Sequence, residues 1–171
     1  VVPHRYLCVL PEDLLQRYPL ETLAVIADAI STPYQVVRKS ELEAGDLAIV
    51  IGVGGVGVYG ALIAGIMGAK VLALDIDDGK LERAKAHGVH ATLNTKGMSG
   101  KDIKARVREL AAELGAPRHG WKIFEYSGTT AGQELAFSLI TYTSTLSVVG
   151  FTMDKLEVRL SNLMAFDAKL I

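Results

Sequence analysis

Along most of the chain, short apolar runs rich in β-branched residues end in Gly or Asp and are followed by stretches with helical spacing. The runs Leu47 to Ile51, Val71 to Asp75, Ala91 to Leu93, Trp121 to Tyr126 and Thr145 to Val149 predict strands, and Ala168 to Ile171 predicts a sixth. Most are continuously apolar rather than alternating, as parallel strands covered on both faces should be. Between them, Val56 to Met67 predicts a helix whose Gly57, Gly60, Ala61 and Ala64 let it lie close against a sheet. Lys80 to His87 is a second helix, closed by Gly88. Lys101 to Leu114 sets Ile103, Val107, Leu110, Ala111 and Leu114 on one face and ends at Gly115, and Thr129 to Leu139 is a fourth. Repeated strand–helix–strand units predict an α/β fold with a doubly wound parallel sheet.

The beginning of the chain reads differently. Three prolines and a compact apolar run in Val1 to Leu20 suggest a strand and turn belonging to another unit, and two helical stretches then lead in. Thr32-Pro33-Tyr34-Gln35 offers an N-cap hydroxyl, a proline at the first helical position and a capping-box glutamine, so the second of these helices is expected to begin at Thr32. The boundary is expected near residue 30, dividing the chain into 1–30 and 31–171. No internal repeat or long linker interrupts this order.

Half of the 171 residues are hydrophobic, 22% are charged, and the 17 glycines are dispersed, which is a globular composition with length enough for one well-buried core. A formal net charge of -1 with scattered basic residues provides no footprint for nucleic acid or an anionic membrane. The 23 uncharged residues from Leu47 to Ala69 could span a bilayer by length. Seven are glycines, four of them within Gly52 to Gly57, so strand, turn and buried helix explain the run better. The single cysteine, Cys8, cannot form an internal disulfide and is expected to be a buried thiol in a reducing cytoplasm. The chain opens at Val1 without a secretory signal, so a fragment of a cytoplasmic protein is expected.

The candidate chemistry lies in Gly52-Val53-Gly54-Gly55-Val56-Gly57, between a strand and a helix. A pyrophosphate is bound well by backbone N–H groups at a helix N-terminus, and glycine permits that approach. Gly52 makes the tight turn, Gly54 brings the backbone close to the phosphates, and Gly57 lets the helix pack on the sheet. Asp75 ends the next strand, 23 residues after Gly52. A carboxylate there can accept the hydroxyl hydrogens of an adenosine ribose and repel the extra phosphate of NADP, which favours NAD. Its competing role is to cap the helix beginning near Gly79. A similar turn serves FAD and S-adenosylmethionine, and the fold pattern leaves these open.

These residues resemble the medium-chain, zinc-containing alcohol dehydrogenase family, over essentially the whole chain. Gly45-Asp46 leading into the glycine turn with its doubled Gly54-Gly55, then Asp75-Ile76-Asp77 with Lys80, then Phe124-Glu125-Tyr126-Ser127-Gly128 and Ser147-Val148-Val149-Gly150 carry the likeness. The resemblance implies a Rossmann fold after a short remnant of a GroES-like catalytic domain. It further implies that Gly52, Gly54, Gly55, Val56, Gly57, Asp75, Ile76, Lys80, Ser127, Val149 and Phe151 bind NAD. Ala27 to Tyr34 and Asp154 to Lys169 look most like the 6-hydroxycyclohex-1-ene-1-carbonyl-CoA dehydrogenases, which implies a ring alcohol carried on a coenzyme A thioester.

The family's zinc-binding members often read Cys-Ala-Gly-x-Thr-x-Tyr where this chain reads Asp28-Ala29-Ile30-Ser31-Thr32-Pro33-Tyr34. The match makes Asp28 a candidate zinc ligand through its carboxylate oxygen, with a solvated or helix-capping aspartate as the alternative. Thr32 would support the nicotinamide ring, in competition with its N-cap role. His4, His87, His90 and His119 have no metal spacing, Trp121 is expected in the core or at a strand entrance, and the charged side of Lys101 to Glu113 is expected to face solvent. The resemblance implies a homo-oligomeric oxidoreductase that passes a hydride between a small secondary alcohol or ketone and NAD with zinc assistance, this segment alone being inactive. A zinc-free reductase of the same superfamily and a non-catalytic NAD-sensing module are the alternatives.

Overall fold

The computed structural model describes residues 2–171. A 3-10 turn (His4–Tyr6), helices α1 (Glu12–Arg17) and α2 (Leu20–Leu23), and a second 3-10 turn (Ala24–Ala27) precede helix α3 (Ser31–Lys39). Then follow β1 (Leu47–Ile51), α4 (Gly57–Ile66), β2 (Lys70–Asp75), α5 (Asp78–Ala86), β3 (Ala91–Asn94) and α6 (Gly100–Glu113). The chain continues through β4 (Lys122–Glu125), α7 (Thr130–Ser138), β5 (Thr145–Val148), α8 (Ser161–Ala165) and β6 (Lys169–Leu170). All strand pairs are parallel, in the order β3-β2-β1-β4-β5-β6.

Alternation along the strands builds two cores. Leu47, Ile49 and Ile51 point to the side covered by α6 and α7, where Ile103, Val107, Leu110 and Phe137 meet them. Ala48 and Val50 point to the other side, against Val37 of α3, Ala61 and Ala64 of α4, and Leu81 and Ala84 of α5. Each fully buried Val, Leu or Ile contributes about 1.5–3 kcal/mol, so the helices are held by their apolar stripes while the backbone ladder fixes strand order. The sheet is doubly wound, as the pattern predicted. Its order reverses between β1 and β4, both of which pair with neighbours on opposite sides, and a crevice opens at their carboxyl ends.

Some expectations are corrected. No strand forms in 2–20 among the described residues; Leu7 to Leu10 runs past no strand that could complete its ladder. Cys8 is therefore exposed rather than buried, beside Val9 at 90% exposure. Thr32 does not cap its helix: its N–H already donates to the Asp28 carbonyl at 2.9 Å, and the helix begins at Ser31. The second predicted helix starts earlier than Lys80, because Asp77 caps it by accepting from the Lys80 N–H at 3.1 Å. The short helix α8 was not anticipated; at five residues it is too short to show a helical apolar period. Gly88 and Gly115 follow their helices at φ +92° and +61°, as closing glycines should.

Candidate functional site

The turn from β1 into α4 contains two kinds of glycine. Gly52 sits at φ +85°, and a Cβ there would lie 2.7 Å from the Ser127 backbone. A Cβ on Gly57 would lie 1.9 Å from the Gly52 carbonyl oxygen. Packing alone requires these two. Gly54 and Gly55 face open space, with nothing within 4 Å of an added Cβ, so packing does not explain them. The amides of Gly54, Gly55, Val56 and Gly57 have no hydrogen-bond acceptor among the described residues. Unpaired N–H groups at a helix start, beside unfilled space, form a cradle suited to an anion.

Asp75 faces this cradle from the end of β2 and is 8% exposed. Its Oδ2 accepts from the Val53 N–H at 2.9 Å, and its Oδ1 accepts from Ile76 N–H at 2.8 Å and Asp77 N–H at 3.1 Å. The capping role therefore belongs to Asp77, whose carboxyl is held below its ordinary range chiefly by the Lys80 N–H. A carboxylate offers about four acceptor positions, so Asp75 ties the glycine turn to β2 and keeps capacity for a further donor.

A cleft of about 710 Å³ joins these groups, lined by Gly52, Gly54, Asp75, Ile76, Lys80 and Ser127, a volume within the range of small-molecule sites. Gly55, Val56 and Gly57 shape the turn without lining the cleft. Thr95, Met98 and Ile103 form a wall that motif reading missed, since scattered residues after β3 carry no spacing signal. A cavity of equal volume, about 710 Å³, lies at the opposite ends of the strands among Trp121, Tyr142 and Phe166. It has no glycine turn and no carboxylate in its lining, so the cleft at Asp75 is the better candidate.

Across the cleft, Ser127 begins the turn from β4 into α7, and Glu125 behind it is fully buried. Glu125 Oε1 accepts from the Ser127 N–H at 2.7 Å, from the Ser127 hydroxyl at closer range, and from the Gly128 N–H at 3.2 Å. A charged residue inside the apolar run Trp121 to Tyr126 was the available signal for Glu125. Val149 and Phe151 lie in the loop after β5 and do not line the cleft; Phe151 is 81% exposed.

Asp28 and Thr32 come together, the Thr32 hydroxyl donating to Asp28 Oδ1 at 2.8 Å, but neither lines the cleft. Among the described residues no group of three or more His, Cys, Asp or Glu could hold a metal ion. A complete zinc site does not fit on these residues alone. Also among the described residues, no helix is long and apolar enough to cross a membrane.

The sequence is similar to that of an alcohol dehydrogenase of Moraxella sp. (strain TAE123), 33% identical over 91 residues, covering 53% of this chain and 26% of that protein. The fold is similar to that of galactitol-1-phosphate dehydrogenase from Escherichia coli, with a TM-score of 0.79 and 26% identity over 95% of this chain and 44% of that one. An alcohol dehydrogenase from the hyperthermophilic archaeon Aeropyrum pernix superposes with a TM-score of 0.80 and 25% identity, over 98% of this chain and 46% of that one. The chain thus spans less than half the length of each of these relatives. A family model described as zinc-binding dehydrogenase matches residues 55–171, from inside the glycine turn to the end of the sheet. The chain belongs to the zinc-binding dehydrogenase family.

Proposed function

We propose that the protein is an NAD-dependent alcohol dehydrogenase in which this segment binds the cofactor. The observation that carries the reading is the set of unpaired amides at Gly54 to Gly57 facing Asp75. The amides would hold the pyrophosphate, Asp75 would accept from a ribose hydroxyl, and Ile76 and Lys80 would border the adenosine. When bound, NAD supplies the C4 carbon that accepts a hydride from the carbinol carbon of a secondary alcohol. This chain's contribution is to orient and enclose the dinucleotide, with Asp75 disfavouring a 2′-phosphate by like charge.

The finer substrate assignment, a ring alcohol on a coenzyme A thioester, rests on the resemblance of Ala27 to Tyr34 and Asp154 to Lys169. We also place Asp28 as one ligand of a zinc site completed by residues outside this segment, with Thr32 beside it toward the nicotinamide. The domain boundary near residue 30 is supported by the absence of any buried residue in 2–30.

Direct titration of the full-length protein with NAD and NADP tests the cofactor assignment. NAD is expected to bind at least about tenfold more tightly, a difference of about 1.4 kcal/mol, and Asp75→Asn is expected to narrow the ratio to within about threefold. Equal affinities in the unsubstituted protein would overturn it.

A further inference from the structure

Resting on the cofactor reading above, we propose that Glu125 is a positioning residue for the cleft, a buried carboxylate that couples the turn after β4 to the loop after β5. The side chain has no accessible surface and cannot touch a ligand, while Ser127, which it holds, lines the cleft. Oε1 gathers the Ser127 N–H, the Ser127 hydroxyl and the Gly128 N–H. The Glu125 carbonyl accepts from the Val149 and Gly150 N–H groups, each at 2.9 Å, so side chain and main chain of one residue hold both segments.

The surrounding glycines are spaced for this contact. A Cβ on Gly150 would lie 2.2 Å from Gly128 N and 2.7 Å from Glu125 Oε2, and one on Gly132 would lie 2.0 Å from Ser127 Oγ. Gln133 Nε2 donates to the Gly150 carbonyl at 3.0 Å, adding a strut from α7 to the same loop. Oε2 is buried without a hydrogen-bond partner, and no cation pairs with Glu125 among the described residues. A buried polar atom left without a partner costs stability, so burial of the side chain does not by itself explain an acid at this strand end. What the acid provides is the geometry of the two segments.

The test compares Glu125→Ala, Glu125→Gln, Ser127→Ala and the double variant Glu125→Ala/Ser127→Ala in the full-length protein. Glu125→Ala is expected to raise the NAD dissociation constant about tenfold and to raise KM for NAD by a larger factor than it lowers kcat. Glu125→Gln keeps an amide oxygen for the three donors and is expected to stay within about threefold. In the Ser127→Ala background, Glu125→Ala is expected to add less than its full effect in the unsubstituted protein, because the hydroxyl, one of the three donors to Oε1, is already gone while the Ser127 and Gly128 N–H groups remain. Unchanged NAD affinity in Glu125→Ala, no recovery in Glu125→Gln, or fully additive losses would overturn the proposal. Should Glu125→Ala fail to fold, Glu125→Asp replaces it: the carboxyl group remains, the reach to Gly128 is lost, and the same weakening is expected. Amide exchange separates the coupling from the cofactor reading. Glu125→Ala is expected to lose protection at Ser127–Gly128 and Val149–Gly150 together, with β2 unaffected, and loss in one segment alone contradicts the coupling. If the unsubstituted protein binds no NAD while both segments lose protection together, the cofactor reading fails and the coupling stands.

Discussion

The Tyr126 hydroxyl is buried without a hydrogen-bond partner, in the space that Gly60 leaves beneath α4, where a Cβ would lie 2.7 Å from the phenol oxygen. Its ring stacks on Phe124 with centroids 6.4 Å apart, so the ring contributes packing while the hydroxyl remains unsatisfied. Burial pushes the phenol well above its ordinary value. The folded state thus favours the neutral form. This contribution is intact below the unfolded value of about 10, then falls by up to about 1.4 kcal/mol per pH unit as pH rises toward the folded value. Tyr126→Phe is expected to raise stability at pH 7 by about 1 kcal/mol and to flatten the alkaline fall. Calorimetry at pH 7 and at alkaline pH checks both effects; a lower Tm at pH 7 would contradict the first. Asp75 was legible beforehand because its distance from the glycine turn is a property of the chain. The Tyr126 and Glu125 environments were not, because which atoms remain unpaired depends on groups brought in from α4 and the loop after β5.

The glycine turn separates folding from binding within one element. Gly57→Ala places a methyl 1.9 Å from the Gly52 carbonyl, so α4 must shift off the sheet. The expected loss is about 3 kcal/mol, at the upper end for overpacking. Gly54→Ala meets nothing, so its Tm is expected to stay within a few degrees while NAD affinity falls at least about tenfold. Paired thermal melts and titrations check the contrast; equal stability losses in the two variants would remove the distinction. Helix existence was readable from spacing, yet helix ends moved by a residue or two. Side-chain caps account for part of this: Asp77, Ser99 and Thr129 each accept an N–H from three residues on, and which such residue takes the role depends on the local backbone. At Thr32 a cap-like sequence sits inside a helix already started by the Asp28 carbonyl.

For the chain as a unit, the proposed metal assistance predicts about one zinc per full-length subunit and at least about tenfold weaker retention in Asp28→Ala. Metal analysis after dialysis against a chelator series measures this, and unchanged retention in the variant would take Asp28 out of the site. The apolar runs, the glycine turn and Asp75 were determined by the sequence, because strand period, turn conformation and spacing are local properties of a covalent chain. Strand order, the crevice between β1 and β4, the meeting of Ser127 with Gly52, and the burial of Glu125 were decided by tertiary structure. They arise only when both faces of the sheet are covered and distant segments compete for the same space. The same reason explains Cys8, whose apolar neighbours suggested burial but which none of the described residues covers.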